Sequence, residues 1–463
     1  MPKGYLALVI ELHHPLPGPG REVGHGWAAG AVETYWPLLK ALVGAADAGL
    51  AEVVTLAVSP SWTAIAADPA AQALVRLELG RRIDQAGRDT EAHPWSEHWA
   101  ELRQFVVDRW DSDPLGPLRR VHESGAVEVI PTTSSHAWLP AVADVGVVAR
   151  AQVTLAAADL AGLLRARPQG IWLPHRAYLP ELERTMASAG LRYFGVDADA
   201  FRRGTVRPPA DIFGPLVTVP GTAAFGVDPE PTSLLADPDR RYGRDTRYAV
   251  PWLAQAAVAD HATHFLDTWR HRAAQAWGPF RHPPICVAAV SAHDLGGSWV
   301  AGGQWLEHVL RRLAEPDGWV ATTPGRYLDR YPDGPIGRPG PSAGGLMSVR
   351  PNGSDLLDRC RSAAETLADL VGRGDHEDAL TRRVLAQMTR LLLIAQSLDW
   401  HLPPGLGIGP EAGLDRARRC LNQFAELAGL AAAARIDPAR LAEVETGPAY
   451  LPGIDIGLLA EGF

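Results

Sequence analysis

Short apolar runs alternate with helical patterns through most of this chain. Six runs are continuous in their hydrophobicity and rich in β-branched residues, which is typical of strands covered on both faces. These runs occupy residues 5–12, 52–58, 126–133, 170–174, 192–198 and 284–292. Helical spacing appears between them, at residues 33–50, 147–168 and 180–194. This strand–helix alternation predicts an α/β architecture with a parallel sheet or barrel.

A Gly/Pro-dense segment interrupts the alternation. The sequence DGPIGRPGPSAGG at residues 333–345 has the composition of a linker or a long exposed loop. Beyond it, residues 354–434 have helical spacing throughout. We therefore predict a barrel-like region over residues 1–335 with a helical excursion near residues 80–125. A linker over 336–345 and a helical region over 346–463 complete the predicted division.

The composition of the 463 residues is that of a globular protein, with 46% hydrophobic and 21% charged residues. No apolar run has the length of a bilayer span, and no cleavage site follows the first apolar stretch, so we expect no membrane partner. The net charge is −9 and the arginines are scattered, which disfavours nucleic acid as a partner. The three cysteines are far apart in sequence and odd in number, which predicts a reducing cytoplasm as the location.

Histidines and acids cluster at the predicted strand ends. In parallel α/β folds the functional side chains come from the carboxyl ends of strands. Four predicted strands each end with at least one histidine. The side chains at these ends are Glu11, His13, His136, His175, His293 and Asp294.

The strand-end residues predict a metal site if the strands converge. Glu11 and His13 are two positions apart on an extended segment, so their side chains share a face. We expect Glu11, His13, His136, His175 and His293 to be the ligands, because imidazole nitrogen and carboxylate oxygen bind zinc, manganese or iron. Two alternatives stay open. Each histidine taken alone is more often bonded to a loop carbonyl, and paired carboxylates could act on a glycosidic bond, although the spacing singles out no pair.

Six segments together carry a resemblance to a known family. In chain order they are ELHHPLP, AVETYWPLL, SSHAWLP, GIWLPHRAYLPELE, HDLGGSWVAGGQWLEHVL and LLLIAQSLDWHL. They resemble the motifs of glycoside hydrolase family 57 and, within it, the 1,4-α-glucan branching enzymes. The resemblance covers most of the chain and implies a distorted (β/α)7 barrel followed by a C-terminal α-helical domain. It also implies a carbohydrate or a sugar-derived small molecule as the partner.

The third motif departs from the family at its catalytic position. The family has a nucleophilic Glu after Trp-Leu-Pro, and this chain has His175 there. A histidine does not form the usual glycosyl-ester intermediate. A second departure lies in the first motif, where Glu11 occupies a position at which the family often has a histidine.

The fourth motif departs as well. An ungapped match anchored on Trp299 and Gly302 puts Ser291 at the position of the family's acid/base Asp and His293 at that of the motif's Glu. Both catalytic carboxylates are then replaced. Sliding the match by three residues would put Asp294 at the acid position but loses the agreement at Trp299 and Gly302. The resulting catalytic candidates are His175, Ser291, His293 and Asp294.

Other family residues are retained. The resemblance implies that His136, Trp299, Asp399 and Trp400 line or support the substrate cleft, together with His13. A structural alternative is that Trp299 is packing and that Asp399 and Trp400 tie the helical region to the barrel.

Three functional hypotheses follow. The first is an enzyme of sugar-like substrates with a His-lined site, in which a divalent zinc, manganese or iron ion activates water or the histidines act as acid and base. The second is a non-catalytic α-glucan-binding protein. The third is ordinary branching or transglycosylation through Asp294 or another acid.

Overall fold

The computed structural model describes most of the chain. The described residues are 2–16, 24–88, 93–142, 145–249, 251–276, 282–297, 299–315, 317–342, 354–373, 378–400, 410–433, 435–445 and 450–460.

Within these described residues, nine strands form one sheet. They are β1 (Gly4–Leu12), β2 (Val54–Val58), β3 (Val127–Pro131), β4 (Gly170–Ile171), β5 (Tyr193–Asp197), β6 (Leu216–Val217), β7 (Ala223–Val227), β8 (Ile285–Ser291) and β9 (Trp319–Ala321). Seven of them run in the order β3-β2-β1-β8-β7-β5-β4, all parallel, while β6 and β9 pair off this path with β7 and β1.

The seven parallel strands nearly close into a barrel. Its two ends approach where the backbone N–H of Trp172, just after β4, donates to the carbonyl of Pro131 in β3, at 2.9 Å. All six predicted strands are present. The seventh barrel strand, β7, has the sequence AAFGV and was not predicted. The (β/α)7 barrel followed by a helical region is therefore confirmed.

Nineteen α-helices are described. They are α1 (His25–Gly30), α2 (Trp36–Asp47), α3 (Pro60–Ala66), α4 (Pro69–Arg88), α5 (His93–Arg103), α6 (Leu115–Glu123), α7 (Gly146–Arg150), α8 (Ala156–Leu164), α9 (Leu182–Ser188), α10 (Ala198–Arg202), α11 (Pro229–Ala236), α12 (Pro251–Gln275), α13 (Gly302–Leu313), α14 (Pro324–Arg330), α15 (Ser354–Gly372), α16 (Ala379–Ala395), α17 (Pro410–Ala432), α18 (Pro438–Val444) and α19 (Gly457–Ala460). The predicted excursion near residues 80–125 is helical, and α15 to α19 make up the helical region after the barrel.

The Gly/Pro segment lies against the barrel where it is described. The backbone N–H of Gly337 donates to Val217, and that of Gly340 donates to Ala200. Ser342 pairs with Tyr178 in an isolated bridge. Up to residue 342 the chain is therefore hydrogen-bonded to the barrel and is not a free loop, and residues 343–345 lie outside the described residues.

One helix corrects the expectation of no membrane-length apolar run. The continuous helix Gly146–Leu164, made of α7, a π-helical turn and α8, has the length and hydropathy of a membrane span. The most apolar stretch of this helix is 61% buried inside the protein, which is typical of a core helix. The three cysteines are free and buried, and the predicted cytoplasmic location stays a prediction.

Candidate functional site

The candidate site lies at the carboxyl ends of the barrel strands. Along β1, Tyr5, Ala7 and Val9 face the apolar interior of the barrel, because side chains of a strand alternate between its faces. Glu11 and His13 continue this inward series past the apolar layers. The barrel therefore carries polar side chains at its mouth and apolar side chains below.

His13 is held by three hydrogen bonds. Its Nε2 lies 2.8 Å from Oδ1 of Asp399, and its Nδ1 lies 2.9 Å from Oγ of Ser59 and 3.2 Å from Oγ of Ser61. Burial and the nearby His136 lower the pKa of His13, against the opposing effect of Asp399. A neutral imidazole that donates from Nε2 to Asp399 and accepts a serine hydroxyl at Nδ1 satisfies every partner. Burial raises the pKa of Asp399, but His13 and His136 bring it to about 2, so this carboxylate is ionised.

Glu11 and His136 form a second pair. The Nε2 of His136 donates to Oε1 of Glu11 at 2.9 Å. Burial alone would raise the pKa of Glu11, but the hydrogen bond and charge of His136 leave it below its usual value. The pKa of His136 is raised, because Glu11 outweighs the effect of burial. Each group therefore favours the charged form of the other, with the pKa of Glu11 lowered and that of His136 raised.

The rings of His13 and His136 stack on each other. Their centroids are 3.7 Å apart and their planes differ by 11°. Ligand atoms of His13, His136 and Asp399 lie within 4.8 Å of one another, which is close enough to hold a metal ion. The lone pairs of an imidazole lie in its ring plane, however, and two stacked planes do not meet at one ion. Ligation by both rings would require one of them to turn.

His175 lies at the rim of the same site. Its ring centroid is 6.2 Å from that of His136, and its backbone φ is +53°. The φ of His136 is also positive, at +56°. Left-handed backbone of this kind is uncommon outside glycine and clusters at functional sites. Burial, together with His136, lowers the pKa of His175 to about 4, so it is neutral at pH 7.

His293 is directed away from this group. Its Nε2 lies 3.1 Å from the Tyr35 hydroxyl and 3.2 Å from the backbone oxygen of His13. The Tyr35 hydroxyl also bonds to the oxygen of His13 and to Nδ1 of His14. The five predicted ligands thus separate: Glu11, His13, His136 and His175 gather at the mouth, while His293 belongs to the Tyr35 cluster.

Ser291 caps the short 3-10 helix Ala292–Leu295, on which Asp294 lies. The Ser291 hydroxyl accepts from the backbone N–H of His293 at 3.3 Å. Burial raises the pKa of Asp294 to about 6, against the opposing effects of the Arg241 charge and of the nearby Ser291 backbone.

The residues predicted to bind substrate have different positions. Trp299 is 2% exposed and packs against Tyr248 and Trp305, with ring centroids 5.5 Å and 5.6 Å away. A sugar cannot reach a ring buried in this way, so the structure corrects the expectation that Trp299 lines the cleft. Asp399 accepts a hydrogen bond from Nε2 of His13, and the Trp400 side chain lies outside the described residues.

Three polar residues of the site were missed from the sequence. Ser59 and Ser61 hold His13, and Tyr35 joins His14, His13 and His293. Tyr35 belongs to the Glu-Thr-Tyr sequence, which is part of one of the six segments that carry the resemblance. That segment was therefore the signal that could have identified Tyr35 as a site residue. Ser59 and Ser61 follow the second predicted strand directly, and their position at a strand end was the available signal.

Comparison with known proteins finds one family in two parts of the chain. The model of "Glycosyl hydrolase family 57" matches residues 73–219, and that of "1,4-alpha-glucan branching enzyme, C-terminal" matches residues 359–458. The chain is similar to glycosyl hydrolase family 57 and, within it, to the branching enzymes. The first match ends at residue 219 and does not include β8 or Ser291.

Relatives match this chain over most of its length. It is 24% identical to the 1,4-alpha-glucan branching enzyme TK1436 of Thermococcus kodakarensis, over 86% of this chain and 69% of that protein. It is 27% identical to a probable 1,4-alpha-glucan branching enzyme of Mycobacterium tuberculosis, over 94% of each chain. The crystal structure of the α-amylase AmyC from Thermotoga maritima has the same fold, with a TM-score of 0.89 over 100% of both chains at 22% identity.

Proposed function

We propose that this protein acts on an α-glucan at the barrel mouth, through a His-lined polar site that replaces the two family carboxylates. One observation carries the proposal: both ring nitrogens of His13 and Nε2 of His136 are paired with Glu11, Asp399 and Ser59, whereas the buried Nδ1 of His136 has no hydrogen-bond partner among the described residues. An unpaired buried polar atom is costly, so Nδ1 of His136 is the atom of the site that a bound glucan hydroxyl would satisfy. The relatives, named as 1,4-α-glucan branching enzymes, support an α-glucan as the substrate.

The residues at the two family catalytic positions do not supply the standard chemistry. His175 is neutral at pH 7 and has no carboxylate oxygen to form a glycosyl ester. The Ser291 hydroxyl caps a helix and is too weak an acid to protonate a leaving oxygen. General acid and general base catalysis at this site would then come from the other ionisable side chains at the barrel mouth.

A glucan-binding and turnover assay tests this function. Affinity electrophoresis in gels containing amylopectin measures binding, and chain-length analysis after debranching measures altered branching of amylose. We expect both for the wild type and a loss of both in His136→Ala. The control is His308→Ala, a histidine on α13 away from the mouth. A wild type that neither binds nor alters any α-glucan would refute the proposal.

The non-catalytic alternative makes a different prediction in the same assay. It expects retained glucan binding with no change in chain-length distribution, and binding that survives His175→Ala. This alternative is favoured by His175 and Ser291, which stand where the resemblance places the family's two carboxylates.

The metal-dependent form of the proposal rests on His13, His136 and Asp399. A zinc, manganese or iron ion there would have to displace the hydrogen bonds of His13 and unstack the two rings. Metal analysis of protein purified without an affinity tag, with melting temperatures before and after metal addition, tests it. If no stoichiometric metal is found and added metal does not change the melting temperature, the metal-dependent form is refuted and the metal-free form of the proposal remains.

A further inference from the structure

We propose that a cavity between the barrel and the helical region binds a small organic ammonium ion, with Asp159 as its counter-ion. The cavity has a volume of about 340 Å³ and lies between α3, α8 and residues 451–454. The mouth residues Glu11, His13 and His136 do not line it. This inference therefore goes beyond the proposed action on α-glucans and does not depend on it.

Hydrogen bonds hold two walls of this cavity in place. On the barrel side, the Thr63 hydroxyl of α3 donates to the carbonyl of Pro60 at 3.0 Å. On the side of the helical region, Arg390 donates to the carbonyls of Tyr450 and Leu451 at 3.0 Å and 3.1 Å. The cavity is therefore formed before a ligand arrives, as is usual for small-molecule sites.

The lining of the cavity is apolar apart from two side chains. Aliphatic side chains and prolines cover most of the wall, among them Leu115, Leu155 and Ile454. Of the described residues that line it, only Thr63 and Asp159 have polar side chains. A glucan does not suit this wall, because most of its hydroxyls would be buried without a partner. The cavity instead suits a compact apolar molecule with a single polar group.

The Asp159 carboxylate determines the chemistry of that polar group. None of the described residues around the cavity is basic, so the carboxylate has no counter-ion there. Thr63 can supply one hydrogen at most, whereas a carboxylate has about four acceptor sites. Burial raises the pKa of Asp159 to about 6, so the group is ionised at pH 8. An ammonium ion would donate to these acceptors and offset the cost of burying the charge.

Gly162 on α8 keeps part of the cavity open. A Cβ at this position would meet no heavy atom within 4 Å, so packing does not require a glycine there. Glycine also destabilises a helix interior relative to alanine. Because Gly162 lines the cavity, a larger side chain would occupy the space that a ligand needs. The position therefore offers a variant that fills the cavity without a clash at Cβ.

Two probes with the same apolar body test the predicted charge. Isothermal titration calorimetry at pH 8 measures the binding of 2-phenylethylammonium and of its neutral counterpart 2-phenylethanol. We expect the ammonium ion to bind with a Kd of roughly 1 mM or below, as for a compact ligand of about nine non-hydrogen atoms. The alcohol should bind at least about tenfold more weakly, because it forms no charge-assisted hydrogen bond.

Two variants assign the binding to this cavity. Asp159→Asn keeps the size of the side chain and should remove the preference for the ammonium ion, so that both probes bind with equal affinity. Gly162→Leu should abolish the binding of both probes by filling the cavity. Gly429→Leu is the matched control and should bind as the wild type does, because Gly429 is an exposed glycine of α17 with equally open surroundings.

Melting temperatures establish that each variant is folded, and the Asp159→Asn comparison decides if Gly162→Leu does not fold. The proposal would be overturned if the wild type does not bind the ammonium ion, or if Asp159→Asn binds it as tightly as the wild type does. A folded Gly162→Leu with wild-type affinity would overturn it as well. None of these results bears on the action on α-glucans, which the amylopectin and amylose assays test separately.

Discussion

At the scale of single residues, His13 determines the geometry of the site. Asp399 fixes one ring nitrogen, Ser59 and Ser61 fix the other, and the ring face supports His136. His136 in turn holds Glu11. A substitution of Asp399 should therefore change the orientation of His136 and Glu11, although Asp399 is bonded to neither of them.

Removal of the Asp399 carboxylate is the direct test of this dependence. In Asp399→Ala the buried Nε2–H of His13 loses its partner, and we expect the free energy of unfolding to fall by about 3 kcal/mol, as for other broken buried pairs. Urea denaturation measures the change. Asp415→Ala is the control, because Asp415 is 60% exposed and its pairing with Arg418 is a surface contact. Equal stability of Asp399→Ala and the wild type would contradict the role assigned to Asp399.

Asp159 provides a pH-dependent prediction away from the mouth. It lies on α8 and lines a cavity of about 340 Å³ whose other residues are mostly apolar. Burial raises its pKa to about 6, against the opposing effect of the nearby Thr63 side chain. The folded state thus binds this proton more tightly than the unfolded state, and stability should fall as pH rises from about 4 to about 6.

The variant Asp159→Asn should remove this pH dependence. Because the carboxyl is partly exposed, we expect a gain of about 1 kcal/mol at pH 8, less than the full pKa shift would give. At pH 4 the variant and the wild type should be equally stable. Melting temperatures across this range measure the difference, and a variant less stable than the wild type at pH 8 would contradict the assignment.

At the scale of elements, most of the strands were predictable from the sequence, and so was the end of the barrel that carries the site, at the carboxyl ends of the strands. Continuous apolar runs identified six strands, because strands buried on both faces need them. The strand β7 was missed, since AAFGV contains one β-branched residue and is buried by its neighbours in the barrel. The partners of each histidine were not predictable. Asp399 lies 386 positions from His13, and only the folded chain brings them together.

The first turn of α3 links an element to the site. Ser59 is the N-cap of α3, where its hydroxyl accepts from the backbone N–H of Trp62 at 3.2 Å, and it also bonds to His13. Ser59→Ala should cost about 1 kcal/mol of stability, the usual value of such a cap. It should also weaken amylopectin binding, because His13 loses one of its supports. Ser188→Ala, at an exposed hydroxyl at the end of α9, is the matched control. If Ser59→Ala loses stability but binds amylopectin as the wild type does, Ser59 caps α3 and has no role in the site through His13.

At the scale of the whole molecule, the helical region completes the site that the barrel begins. Besides Asp399 and His13, the Tyr450 hydroxyl donates to the carbonyl of Ser134 at 2.6 Å, two residues before His136. Gln152 of the barrel also donates to Gln396 at 3.2 Å. Both contacts are buried, and Gln152 also donates to the hydroxyl of Ser135, the residue before His136. The barrel and the helical region are therefore expected to be energetically coupled through the site itself.

This coupling predicts one cooperative unfolding transition for the full chain. Differential scanning calorimetry should show a single heat-capacity peak, and Asp399→Ala and Tyr450→Phe should each shift that whole peak to lower temperature. Tyr450→Phe removes one hydrogen bond and should cost about 1 kcal/mol. The variant Arg440→Ala, whose pairs with Glu426 and Glu443 lie on the surface of the helical region, should leave the peak in place. Two separate peaks, of which Asp399→Ala moves only one, would show that the helical region folds independently and that the site is not what joins it to the barrel.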